Sequence, residues 1–575
     1  MVGLLYFQEI ALCLSTLFML IPWIILLDRI EKFREIKIYV LLFFGLLTRL
    51  IYAPFFGHTA DIQFVLDSVD LLIQGKSPYI GGSFSAYPPL IIYTETLVVL
   101  LLGENRFYFK LPMIISEVFL AFIIYKLSIE YTSNERLAYW TSVIFLLEPW
   151  IYFQTVIYGH FDIIPTFFMV LAVYLLVKEK IKLSALSLGI GIMYKVFPIV
   201  LVPIIALYFI RQNNWHRIIE YMVVIVSVVI IVSLPFLILS YDTYISVMLA
   251  IGGTRGIAIH KIMFYLISRA NMSRSLWSSI MRVFWVGGLL FTLLIFIKRE
   301  VADEKLSLLE ESTFFLLIFL LLNRALHEQY IVWAIPFLIL FFLGKNPIGP
   351  QLGDLVLFYS FSSAVFFYRV VKWSVWFSLY DDFSFVLFST FAVSILFFHF
   401  VGWLIVIRFF RDILPKDIIQ SFKDTLMKLT KWLRLNDQNR KKGVRLRSFM
   451  TISSLQIDFS ILYGAVVIGI IIVMFVFQGK TDVSFELFLF PIILFSIFIA
   501  ALLRIGLFIT GIKSSNAFYT FINFWIIYIF EVGIYFHTDL LTISVRALLI
   551  ALSSSLGYLL VPLIENIKLR ADSVI

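Results

Sequence analysis

The sequence predicts an all-α polytopic membrane protein, a bundle of about 17 transmembrane helices. Three observations carry that prediction. Of 575 residues, 61% are hydrophobic and only 14% charged, against roughly 25% charged in soluble domains. Apolar stretches near the ~20 residues that a bilayer-crossing helix needs recur along the whole chain. Loops rich in Lys and Arg alternate with loops that are not, as the positive-inside rule requires.

The first span covers 8–27; its start carries Glu9 but no basic region and no small-residue cleavage site, so it reads as retained. Further spans are expected near 38–56, 110–127, 137–153, 162–178, 183–196, 198–211 and 217–239. Others follow near 282–297, 308–323, 329–344, 353–370 and 385–407. The last four lie near 450–477, 486–508, 517–536 and 541–562. Basic loops at 28–37, 126–136, 178–182, 211–217, 298–305 and 408–447 then face the cytoplasm. Loops at 57–110, 148–161, 241–280, 323–328 and 369–384 face outward. This alternation requires that the helix over 90–103 not cross; at about 14 residues it is short, and a juxtamembrane helix in the outer interface fits. The sequon Asn271-Met272-Ser273 falls on the same outer side.

Charge placement excludes a nucleic-acid binder. Residues 408–447 hold 12 Lys/Arg against 4 Asp/Glu, which accounts for nearly all of the net +9. This block divides the chain into an extra N-terminal span (1–37), a catalytic membrane domain (38–407), a basic cytoplasmic linker (408–447) and a four-span C-terminal module (448–575). With Cys13 as the single cysteine, intrachain disulfides and cysteine metal sites are excluded. The chain has no phosphate-binding G-x-x-x-x-G-K-[ST] loop and no His-Glu-x-x-His helix. Asp381-Asp382 are adjacent rather than spaced as Asp-x-Asp. No metal or cofactor is expected.

The residues able to do chemistry collect on the outer side. Asp61 sits about five positions past a span, near membrane depth, where ionisable groups are costly and tend to be functional. Pro88 and Pro89 stop helix beyond it and fold the loop back. A carboxylate held there suits a general base, whereas Asp67 and Asp70 read as solvated. In Asn323-Arg324-Ala325-Leu326-His327-Glu328, Arg324 and His327 are spaced to face one phosphate together, or the segment simply caps two helices. Lys195, a lone cation before the helix-breaking Pro198, either pairs with a lipid phosphate or snorkels. His160 and Asp162 in Tyr158-Gly159-His160-Phe161-Asp162 could bind a sugar or a pyrophosphate, or satisfy each other.

Taken in order, Asp61, Gly75-Lys76-Ser77-Pro78-Tyr79, Tyr87-Pro88-Pro89-Leu90, the 110–127 and 148–176 segments, Tyr194-Lys195-Val196-Phe197-Pro198 and Leu326-His327-Glu328-Gln329-Tyr330 resemble one family. They look like the integral-membrane GT-C glycosyltransferases that use polyprenyl-phosphate sugars, over roughly 38–407. Within that superfamily the set is similar to the mannosyltransferases of GPI assembly, with echoes of the dolichyl-phosphate-glucose enzymes. The fuller His-Gly-His of the latter is absent, because Tyr158 stands first. The last 125 or so residues weakly resemble four-span GtrA-like proteins, which handle polyprenyl-phosphate sugars; packing helices would read the same way.

The resemblance implies Asp61 as catalytic base and His327 and Lys195 at the lipid-linked phosphate; charge growing on that phosphate calls for further cations, Arg324 beside His327 and, more distantly, Arg255. The resemblance further implies His160, Asp162, Tyr79, Tyr87 and Glu328 as substrate-binding residues. The implied reaction moves a hexose, mannose first, from a polyprenyl phosphate to a glycan or glycolipid with inversion and without metal. It would run on the outer face of a microbial plasma membrane, with archaeal-like composition. A flippase or transporter would also explain the many spans, but not the loop from Asp61 to Leu90.

Overall fold

The computed structural model describes residues 24, 36–55, 59–80, 87–250, 274–299, 301–323 and 326–344, with 358, 361, 398–399, 401–406 and 409 beyond them. Arg255, Arg324, the sequon, the basic linker and the C-terminal module lie outside these residues. The chain divides into two units, and residues 49–347 belong to the larger. All long-range contacts described below lie within that unit.

Every element among the described residues is helical. In order they are α1 (Lys37–Tyr52), α2 (Thr59–Ile73), α3 (Pro89–Leu102), α4 (Arg106–Thr132), α5 (Glu135–Leu146) and α6 (Pro149–Tyr152). Then come α7 (Ile163–Val177), α8 (Ile181–Tyr194), α9 (Val202–Arg211), α10 (Trp215–Leu239) and α11 (Tyr241–Ala250). The chain continues with α12 (Arg274–Lys298), α13 (Glu304–Leu322) and α14 (Ile335–Ile339).

Among the described residues, two helices are long and apolar enough to cross a membrane, α4 and α10, where spans at 110–127 and 217–239 are expected. Each starts on an asparagine cap: Asn105 Oδ1 accepts from the Phe107 N–H at 2.8 Å, and Asn214 accepts from Arg217. Helix α4 ends at Ser133, whose left-handed φ of +52° turns the chain. Its buried stripe is Phe109, Lys110, Met113, Ile114, Glu117, Leu120, Ala121 and Ile124, at helical spacing. Helix α10 turns Ile219, Val223, Ile230, Ile231 and Ile238 outward. An apolar side chain bared along a whole helix face is what lipid contact asks for.

Three expected spans are broken instead of continuous. The stretch over 137–153 parts at Glu148, which caps α6 through a 2.9 Å bond from the Ile151 N–H. A wide π-helical turn (Phe153–Tyr158) follows α6. The chain after α8 passes into a 3-10 turn (Phe197–Leu201) before α9. The stretch over 329–344 opens as a 3-10 turn (Glu328–Trp333) and closes as a π-helical one after α14. Pro149, Pro198 and Pro336 stand at these breaks, where a proline cannot donate a backbone hydrogen bond.

Helix α3 forms where the juxtamembrane helix is expected, but with its polarity reversed. Its polar residues face inward: the Thr94 Oγ1 lies 2.6 Å from the Tyr194 hydroxyl, and Glu95 is fully buried. Leu97, Leu100, Leu101 and Leu102 are exposed. Neither Glu95 carboxylate oxygen has a hydrogen-bond partner.

Buried ion pairs tie the bundle together. Arg49 donates to Glu117 Oε1 at 2.5 Å and to the Leu146 carbonyl at 2.8 Å, joining α1, α4 and α5. At one end of the bundle Arg211 makes two 2.9 Å bonds to Glu311 and a 2.6 Å bond to the Phe296 carbonyl. Arg299 pairs with Glu310, the Gln212 amide donates to Glu304, and at the exposed rim Lys178 pairs with Glu130 and Lys305 with Glu179. These residues come from the loops at 126–136, 178–182, 211–217 and 298–305 and from the helix ends beside them. These four basic loops thus gather at one end.

Candidate active site

The opposite set of loops converges as well. Pro78 and the Gly75 turn, with φ +72°, aim the chain back so that Ser77 Oγ meets Ser240 Oγ at 2.8 Å. Tyr79 packs edge-on against Phe236 and Tyr244, each 4.9 Å away, and donates its hydroxyl to the Tyr87 carbonyl at 2.8 Å. Tyr79 therefore pins the turn that carries Tyr87. The Tyr87 ring in turn meets Phe161 edge-on at 4.9 Å.

At the centre sits Lys195. The sequence places it as a lone cation at a span rim; in the structure it is buried, with Nζ 2.7 Å from Asp162 Oδ1. Helix α8 ends one residue earlier, and the extended backbone at Lys195 swings its side chain toward the start of α7. The same Asp162 oxygen accepts the indole N–H of Trp333 at 2.8 Å. Four rings surround the ammonium: Tyr330 at 4.8 Å, Phe161 at 5.4 Å, Tyr87 at 5.5 Å and Trp333 at 5.6 Å. Aromatic faces attract a cation, and the carboxylate pairs with it.

Trp333 is sandwiched. Phe197 stacks on one side at 3.4 Å and Tyr330 on the other at 4.2 Å. The His327 ring meets Tyr330 edge-on at 5.3 Å, which places this half-buried histidine beside the same aromatic column. Glu328 is buried next to it. His160 is buried against Tyr158, edge-on at 5.3 Å, two residues before Asp162.

The site so built joins Tyr79, Tyr87, His160, Asp162, Lys195, His327 and Glu328 from segments far apart in sequence. The backbone of Asp61 lies in the first turn of α2, the helix that leads into this loop. Missed from the sequence were Trp333 and the stacking role of Phe197 and Tyr330. A tryptophan six residues past a histidine in a polar hairpin was the available signal.

Glycosyltransferase family 87 matches residues 86–323 of the chain. That region contains Tyr87, His160, Asp162 and Lys195; Asp61 precedes it and His327 follows it. The chain is also similar to GPI mannosyltransferase 1 of Candida albicans, 24% identical over 303 residues, covering 48% of this chain and 73% of that protein. Together with the apolar helices, these likenesses support a membrane glycosyltransferase.

Proposed function

We propose that the protein transfers a hexose, mannose first, from a polyprenyl-phosphate donor to a glycan or glycolipid on the extracytoplasmic face, inverting the anomeric centre. The observation that carries this reading is the match to a glycosyltransferase family over the segment that supplies most of the aromatic site. The chemistry assigns each part a task. Asp61 takes the proton from the acceptor hydroxyl as that oxygen attacks the anomeric carbon. Charge grows on the departing phosphate, and preorganised cations lower the barrier most where charge develops. His327 and Arg324, with Arg255, serve that phosphate. Lys195 is already engaged by Asp162. We read that pair as part of the donor wall, which carries its charge within the aromatic box. Tyr87, His160 and Glu328 line the sugar, and no metal takes part.

The test is transfer by the purified full chain in liposomes from synthetic polyprenyl-phosphate mannose and, separately, glucose. A glycolipid extract of the source membrane serves as acceptor. Wild type should consume one donor. Asp61→Asn should lower turnover about 10²–10⁴-fold while donor still binds. His327→Ala should weaken both donor binding and turnover. Labelled lipid crossing the bilayer with neither donor consumed would replace this reading by a flippase.

A further inference from the structure

Lys110 is fully buried, just past the first turn of α4. Among the described residues its ammonium donates to two backbone carbonyls, Ala53 at 2.9 Å and Val156 at 2.6 Å. Ala53 opens the 3-10 turn after α1, on the approach to Asp61. Val156 lies in the π-helical turn that leads into Gly159 and His160. A buried cation at membrane depth is costly and calls for a role beyond packing.

The same two segments also meet directly. Gly159 holds a left-handed φ of +74°. A Cβ placed there would stand 3.2 Å from Ile62 Cδ1 and 3.3 Å from Lys110 Cε. Ile62 follows Asp61 in the first turn of α2 and is itself buried. The bare glycine, the lysine stem and the residue next to Asp61 thus share one point of contact.

We propose that Lys110 is a positioning residue for Asp61, an inference that rests on reading Asp61 as the base. Held between carbonyls on either side, the ammonium sets how far the Asp61-bearing turn stands from the His160 segment. Without it, two buried carbonyls lose their donor and the segments they belong to are released. A misplacement of about 1 Å can cost on the order of 10²-fold in rate. Lys110 acts on the turn that leads to Asp61, so the loss is read first in the chemical step.

The experiment uses the full chain in liposomes, with Lys110→Met, Lys110→Arg, Gly159→Ala, Asp61→Asn and the Asp61→Asn/Lys110→Met double variant. Lys110→Met should lower kcat about 10–100-fold and leave donor KM within about 3-fold. Lys110→Arg, which keeps donors for both carbonyls, should recover at least part of that loss. Gly159→Ala should reproduce the kcat-selective loss from the other side of the contact. The double variant should be no slower than Asp61→Asn alone, because both changes act through one group. Wild-type kcat in Lys110→Met, a loss confined to KM, or losses that multiply in the double variant would overturn the inference. If Lys110→Met does not fold, Gly159→Ala decides: wild-type kcat there overturns it. An Asp61→Asn enzyme with full turnover sinks the base reading and this inference together. Inactive Asp61→Asn beside fully active Lys110→Met sinks this one alone.

Discussion

Replacing Asp162 by leucine would strand Lys195. The Asp162 side chain is 2% exposed and that of Lys195 9%, so solvent cannot take over the lost partner. Breaking a buried pair by removing one member costs about 3–5 kcal/mol. The indole N–H of Trp333 loses its acceptor in the same step, a further cost of about 1–3 kcal/mol. The four rings return part of this, since a desolvated cation–π contact is worth about 2 kcal/mol. The net expectation is a loss of about 3–5 kcal/mol. Lys195→Met alone leaves a buried carboxylate that still has the indole donor, so it should cost less, about 2–4 kcal/mol. The double variant Asp162→Leu/Lys195→Met removes both charges and should recover most of the loss, because an apolar replacement for a buried pair is often neutral. The assay is thermal unfolding of the detergent-solubilised full chain followed by fluorescence-detected size exclusion. Both single variants should unfold at lower temperature than the double. If the two single losses simply add in the double, the pair contributes no coupling and the reasoning fails.

Glu95→Gln should be tolerated or raise the unfolding temperature, because it removes a buried carboxylate's charge without changing the shape of the side chain; a marked drop in the same thermal assay would contradict it. Trp333→Phe keeps the stack with Phe197 and Tyr330 but leaves Asp162 one donor short, so it should cost about 1 kcal/mol, whereas Trp333→Ala should cost about 3–5 kcal/mol by thermal unfolding. Arg211→Ala, at the end of the bundle away from the aromatic site, should destabilise by about 3 kcal/mol and leave donor KM and kcat unchanged in the transfer assay.

Local pattern made part of this legible. The long apolar runs at 110–127 and 217–239 form helices α4 and α10, since a 3.6-residue stripe needs no distant partner to be recognised. The sorting of loops into a basic set and a chemistry-bearing set is likewise visible in the contacts: Lys178 reaches Glu130, and Tyr87 meets Phe161. Pairings across distance were not legible. Lys195 finds Asp162 33 residues away and Trp333 joins that carboxylate from 171 residues away, and no spacing rule encodes either. The reversed polarity of α3 was hidden for a related reason. A run as apolar as Leu97–Leu102 shows that it must avoid water, yet not that Thr94 and Glu95 would be the residues turned inward. Pro198 marks the break after Lys195, but Pro149 and Pro336 lie within spans expected to be continuous, and the wide turn over Phe153–Tyr158 carries no proline at all.

The Lys195–Asp162 pair carries a consequence for how such a protein can diversify. Its charges cancel inside a wall of packed rings. Any surplus charge offered to a ligand must then come from residues such as His327, on stretches between helices. A substitution there costs little stability, because few core contacts depend on it. Substrate preference and structural robustness are therefore carried by different parts of the chain. A lineage could retune the first by trial in the loops while the scaffold stays as it is.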